Sequence, residues 1–434
     1  MKSKSMRVLN RVVAVLCAMG LLLAFPERGR AYSVMSHQAI IDVAWEADIK
    51  PAIRKRFPTA TEEEIDRGQA YAYGGAIIQD LGYYPYGNPF FSDLTHYVRS
   101  GDFVLALLRD SRDIYEYSFG LGAMAHYAAD NNGHPKGTNR AVAVLYPKLK
   151  KKYGDSVSYE QDKLAHVKTE FAFDVLEVSK ERFAPESYHD FIGFEVAPRL
   201  LEQAFHETYG LDLKKVLVDE NRALNSYRKA VSNLLPKATR IAWHLKKDEI
   251  QADEPGITKR KFLYNLKRSN FEQEWGKDYK KPSLGDRFLA FIYKLLPKIG
   301  PLKVLQFKTP TPDTEHMFEA SFNDTVDQYR ELLKEERETQ KPAVSNDNFD
   351  LGAVSAPGEY NLSDITRARL LDELAQQKFA GTPPEIRTEL FGYFAADTPF
   401  KLKKDAKAWA KVQAEMEELK NAPAETNSAV SAPK

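Results

Sequence analysis

Two pairs of residues, His126 with Asp130 and His166 with Glu170, stand four positions apart. On a helix that spacing brings both side chains onto one face, one turn above the other. The flanking sequence supports helices. Leu121, Ala125, Ala128 and Ala129 accompany the first pair, and Leu164, Val167, Phe171 and Val175 the second. From Ser33 to about Leu245 apolar residues recur mostly at helical spacing, with no sustained strand alternation and no internal repeat. The expected fold is all-α.

The helix carrying the first pair is expected to begin near Asp110 and to stop at Asn132-Gly133-His134-Pro135, because glycine favours a helix C-terminus and proline cannot continue the helix. The helix carrying the second is expected to open at Ser158, with Gln161 completing a capping box. Further helices are expected over Phe194–Tyr209, Val216–Leu235, Ala238–Lys247, Arg287–Leu296, Thr314–Glu336, Asp364–Phe379 and Lys404–Leu419. Between them, Gly82 to Phe91 (GYYPYGNPFF) is rich in Gly, Pro and aromatics and reads as a loop joining Asp80 to His96.

The N-terminus reads as a secretory leader: basic residues Lys2, Lys4, Arg7 and Arg11, an apolar run from Val12 to Phe25, then small residues at Gly29 and Ala31. The run is too short to span a bilayer. Cleavage after Ala31 leaves Tyr32 first and places the mature chain in the periplasm or the medium. The only cysteine, Cys17, lies within the leader. The mature chain therefore has neither disulfides nor thiolate nucleophiles or ligands, and its own core must hold it.

The expected organisation is a leader over 1–31, a catalytic domain over 32–250, a helical basic extension over 251–340, a linker over 341–360, C-terminal helices over 361–420 and a disordered tail over 421–434. The linker rests on polar composition with Pro, Gly, Asn and Ser. The formal net charge of +1 names no partner. Locally, Lys259–Lys308 holds thirteen Lys/Arg against four Asp/Glu. A basic, partly apolar segment of this kind suits peripheral contact with an anionic membrane, although a core-facing helix with a solvated basic side has the same composition. No stable protein partner is implied.

Five of the nine histidines precede residue 170: His37, His96, His126, His134 and His166. With Asp80, Asp130 and Glu170 they form a set of imidazoles and carboxylates without thiolate, the donor set of catalytic rather than structural zinc. A lone histidine is ordinarily a core or surface group; the ordered set is what carries the argument.

That order resembles the zinc-dependent phospholipase C family, with which the S1/P1-type nucleases share their arrangement: a histidine near the mature N-terminus, a lone Asp, a His, His-x3-Asp, a nearby His and His-x3-Glu. The resemblance covers roughly residues 32–200. It implies a helical domain binding three zinc ions. Tyr32 would ligate through its main-chain amino and carbonyl groups beside His37. Asp80, His96, His126 and Asp130 would surround a second ion, with Asp130 bridging, and His134, His166 and Glu170 would hold the third. Asp80 is also the implied group for orienting or deprotonating the attacking water. Two departures stand out. Tyr32 replaces the usual Trp, and His134 follows Asp130 by four residues where familiar members have six.

The implied activity is hydrolysis of a phosphodiester, first of all release of a phospholipid head group. The alternatives are a single-strand nuclease and a zinc-stabilised binding module without catalysis. Tyr84, Tyr86, Phe90 and Phe91 are the candidate substrate contacts, since exposed rings can cage a choline head group or stack on bases.

Overall fold

A computed structural model describes residues 34–179, 194–217, 219–231, 306–396 and 401–423. The leader with Cys17 and Tyr32, the helices expected over 238–247 and 287–296, nearly all of the basic stretch and the tail beyond 423 lie outside them. The described residues are helical, and among them the only β feature is an isolated antiparallel bridge between Asn348 and Ala353.

The helices that build the site are α1 (Val34–Ala44), α2 (Glu62–Gly75), α3 (Pro89–Tyr97), α4 (Ser100–Arg109), α5 (Ile114–Asn132), α6 (Lys163–Ser179), α7 (Pro198–Tyr209), α8 (Pro312–Thr339) and α9 (Asn361–Gln376). The axis of the fold is α5. Every residue in it except Tyr115 is buried, as its small and apolar residues on all sides require. Asp113 caps it, accepting from the backbone N–H of Tyr115 and Glu116.

Among the described residues, α2, α4 and α8 pack most extensively on α5. The first approaches so closely that only glycine fits. A Cβ on Gly122 would stand 2.1 Å from the Ala72 carbonyl oxygen, and one on Gly75 would stand 2.0 Å from that of Phe119. A Thr61/Glu64 capping box starts α2. A Thr311/Thr314 box with Pro312 in the first turn starts α8, whose Phe318, Phe322 and Val326 are buried. Tyr329 of α8 donates its hydroxyl to the Leu121 carbonyl at 3.0 Å. Truncating a buried side chain of this core to Ala costs about 2–5 kcal/mol.

Four local expectations are corrected. The helix does not stop at Asn132; it widens into a π turn over Gly133–Thr138 and continues as Asn139–Leu145. Gly133 stays helical, with φ −61°, and the wider turn accommodates Pro135, which has no N–H for the α-helical ladder. Next, α6 starts at Lys163 rather than Ser158, because Asp162 accepts from the Ala165 N–H at 2.9 Å. Gln161 does accept from the Ser158 N–H, within the preceding turn. In the aromatic stretch, Asn88 caps α3 and Pro89 takes its first turn, so Phe90 and Phe91 are helical. Finally, residues 341–360 are not a spacer. Ser345, Asn346, Asn348 and Asp350 spend their polar groups on hydrogen bonds, and Phe349 and Tyr360 are core. Polar composition suits a linker, but it equally suits a strap that satisfies buried polar groups.

Candidate metal centre

The site forms where α1, α3, α5 and α6 meet the turns that follow α2 and α5. His37 comes from the first turn of α1, which Asp174 of α6 anchors by accepting from the Met35 N–H (3.1 Å) and the Ser36 hydroxyl (2.9 Å). Asp80 lies in a 3-10 turn, Ile78–Tyr83, and His96 in the last turn of α3. One face of α5 supplies His126 and Asp130, the π turn supplies His134, and α6 supplies His166. Each of these side chains is buried.

Asp130 is the hub. Its Oδ2 lies 3.2 Å from His126 Nε2, 3.4 Å from His96 Nε2 and 3.6 Å from His134 Nε2, while Oδ1 lies 3.6 Å from His37 Nε2. Asp80 Oδ1 stands 3.5 Å from His96 Nε2, and the two Nε2 atoms of His96 and His126 are 3.4 Å apart. Three groups result, in each of which the donor atoms lie within 4.8 Å of one another: His37, His126 and Asp130; Asp80, His96 and His126; His134, His166 and Asp350.

The outer edges of the rings are fixed as metal sites require. His126 Nδ1 is 2.9 Å from the Ala76 carbonyl oxygen and His96 Nδ1 is 2.7 Å from that of Ser92. Donation at Nδ1 leaves Nε2 of both rings facing inward. His37 stacks on His126 with centroids 4.4 Å apart and planes at 9°. Both Asp130 oxygens are buried and accept no hydrogen bond among the described residues. A carboxylate in that condition, ringed by imidazoles, fits a bridging ligand between cations.

The electrostatics are those of a tightly coupled cluster. Burial lowers the pKa of His37 to about 3, helped by the neighbouring His126. His166 also falls to about 3 through burial and the adjacent His134. Burial opposes the charge on His96 and His134 too, but nearby carboxylates outweigh it. Asp130 and Asp80 raise His96 to about 9, and Asp130 and Asp350 raise His134 to about 10. Asp130 is held well below the usual carboxylate range, since the imidazoles around it outweigh its burial. Asp350 falls to about 2, the His134 bond overcoming burial.

Residues 36–217 match the family model described as zinc dependent phospholipase C. This segment is a zinc-dependent phospholipase C family domain. No curated protein and no solved structure matches the chain. The zinc-dependent phospholipase C domain contains His37, Asp80, His96, His126, Asp130, His134, His166 and Glu170, and Asp350 lies beyond its C-terminal limit.

Glu170 is buried beside His166, its Oε1 2.7 Å from Nδ1, the other nitrogen from the one facing Asp350, and it lies outside the three groups. Most of the aromatic residues expected at a substrate surface are core. Tyr84 packs edge-on against Tyr227, Phe91 lies against Phe205 and Phe103, and buried Phe90 has the Arg369 guanidinium 4.1 Å above its ring. Of the three rings, Phe91 fills space between α3, α4 and α7, and burial of all three is what their apolar surface favours. Only Tyr86 is exposed, at 51%, with Arg222 stacked 3.8 Å from its centroid and donating to its hydroxyl.

Sequence reasoning missed Asp350 and Asn139. Asp350 lies far along the chain in a polar stretch without histidine, so no spacing pattern reaches it. The available signal was Phe349, a large aromatic set among Asn and Asp, which a solvated linker does not need.

Proposed function

We propose that the protein is an exported zinc-dependent phosphodiester hydrolase that releases the head group of a phospholipid. The observation that carries this reading is the convergence of four histidines and two aspartates, His37, Asp80, His96, His126, Asp130 and His134, around one buried carboxylate within a zinc-dependent phospholipase C domain. Export is supported by the leader sequence. Cleavage after Ala31 would put the Tyr32 amino group two residues before the described start of α1, and we assign it as a further ligand beside His37.

Zinc, when bound, supplies Lewis acidity that makes water acidic near neutral pH and neutralises charge building on phosphoryl oxygens. The chain's own residues do the rest. Asp130 holds ligand imidazoles of three elements in register through its two oxygens. His96 and His126 present Nε2 because Ser92 and Ala76 hold their other nitrogens. Asp80, beside His96 and as carboxylate able to accept a proton, orients the attacking water and takes its proton.

The test is incubation of the processed, zinc-loaded protein with phosphatidylcholine vesicles and, separately, with single-stranded DNA. Release of phosphorylated head group with intact DNA is expected. Cleavage of DNA alone would replace the lipid reading with the nuclease one. Asp80→Asn should lower kcat for the active substrate by about 10²–10⁴-fold; full activity would remove Asp80 from the chemistry.

A further inference from the structure

Residues 345–363 are stitched onto the phospholipase C domain. The Ser345 N–H donates to the Tyr127 hydroxyl at 3.0 Å, and that hydroxyl donates to Asp347 at 2.7 Å. The Phe349 N–H donates to the His96 carbonyl at 3.1 Å. The Phe349 ring lies 5.2 Å from His96, 6.0 Å from His126 and 5.5 Å from Tyr127, so it backs two of the cluster imidazoles. Gly352, at φ +68°, lets the strap turn against α5, where a Cβ would stand 2.5 Å from the Asn131 carbonyl oxygen.

This path delivers Asp350, fully buried, to the edge of the centre. Its Oδ2 accepts from the Tyr159 N–H (2.9 Å) and the Tyr360 hydroxyl (2.8 Å). Its Oδ1 accepts from Asn139 Nδ2 at 3.0 Å and faces His134 Nδ1 at 3.3 Å and His166 Nε2 at 3.7 Å. Asn139 Oδ1 also meets His166 Nε2 at 2.6 Å, so the amide fixes carboxylate and ring together. One oxygen saturated by rigid donors and the other turned toward two imidazoles is the way a ligating carboxylate is held. A simple ion pair would need only one of the two rings. Glu170 Oε1 lies 2.7 Å from Nδ1, the nitrogen of His166 that faces away from Asp350.

We infer that Asp350 is a carboxylate ligand of the divalent cation held by His134 and His166. The inference rests on the metal-centre reading above. It makes the C-terminal part of the chain a component of the centre: residues 36–217 hold two of the three donors of this site, and the strap from beyond them closes it.

The experiment uses the processed chain beginning at Tyr32, which has no cysteine of its own, so that Asp350→Cys introduces the only thiol, loaded with cobalt(II). A sulfur-to-cobalt charge-transfer band in the near ultraviolet is expected for Asp350→Cys and not for the parent or for Asp347→Cys. In parallel, zinc retained against a competing chelator is counted. Asp350→Asn should hold one ion fewer than the parent. Tyr360→Phe, which removes one bond to Oδ2 and keeps the ring, should weaken one ion about 10-fold; it serves if the Asp350 variants do not fold. A full zinc complement in Asp350→Asn overturns the assignment, as does unchanged affinity in Tyr360→Phe. A parent protein that binds neither zinc nor cobalt sinks the metal reading itself, a result distinct from any of these.

Discussion

At the scale of single residues, protons and metal ions compete for the same atoms. His96 and His134, at about 9 and about 10, hold protons at neutral pH, whereas His37 and His166, at about 3, do not. Ligation must displace the protons on the first two. Zinc uptake should therefore release protons, and apparent affinity should rise as pH is raised from 6 to 9. Calorimetric titration in buffers of different ionisation enthalpy reads the release directly; uptake without proton release would contradict the site. Stability of the protein without metal follows the same signs. The raised His96 and His134 stabilise the fold fully below 6.5, and this contribution is lost as pH climbs through about 9 and about 10. His37 and His166, lowered to about 3, act in the opposite sense: their unfolded forms take protons as pH falls below 6.5, and stability declines toward 3. Asp130 offers a second check. Asp130→Ala removes contacts to His37, His96, His126 and His134 together, so it should lose more than one zinc ion per chain by elemental analysis. Unchanged stoichiometry would refute its bridging role. The sequence disclosed His126 and Asp130 because i,i+4 pairing is a local signal, and His37, His96 and His134 through their place in the ordered set. Asp350 carries no such signal, since the strap that delivers it depends on tertiary packing.

Among the elements, α5 does most to set the geometry. Its burial on every side follows from its composition, and its path past Asn132 does not. Gly133 and Pro135 are ordinary stop signals, yet the chain absorbs them in a π turn and keeps His134 close to Asp130. The same turn provides the shorter route that the four-residue spacing requires. In the aromatic stretch, glycine and proline dominate the local reading, while burial comes from partners outside it: Tyr227 for Tyr84, Arg369 for Phe90, and Phe103 and Phe205 for Phe91. The contact of α2 with α5 yields a stability prediction. Gly122→Ala places a methyl 2.1 Å from the Ala72 carbonyl oxygen, where backbone must move. It should destabilise the fold by about 1–3 kcal/mol, read as a lowered Tm or denaturant midpoint. An unchanged midpoint would mean that the two helices separate without cost.

Across the whole molecule, the described residues on either side of the 232–305 interval share one core. Helix α8 packs on α5 through Tyr329, and α9 fixes the end of α3 through Arg367 and Ser363, both bonded to the Tyr97 carbonyl next to His96. The helical class and the imidazole set were legible in the sequence because both are periodic or local. The dependence of the site on residues 345–363 was not, since segments far apart in sequence meet there only after folding. The most direct measurement of the central claim is anomalous X-ray scattering at the zinc edge from crystals of the processed protein. The account predicts more than one zinc peak, all lying among His37, Asp80, His96, His126, Asp130, His134, His166 and Asp350. Crystals grown with zinc that show no peak among these residues would contradict it.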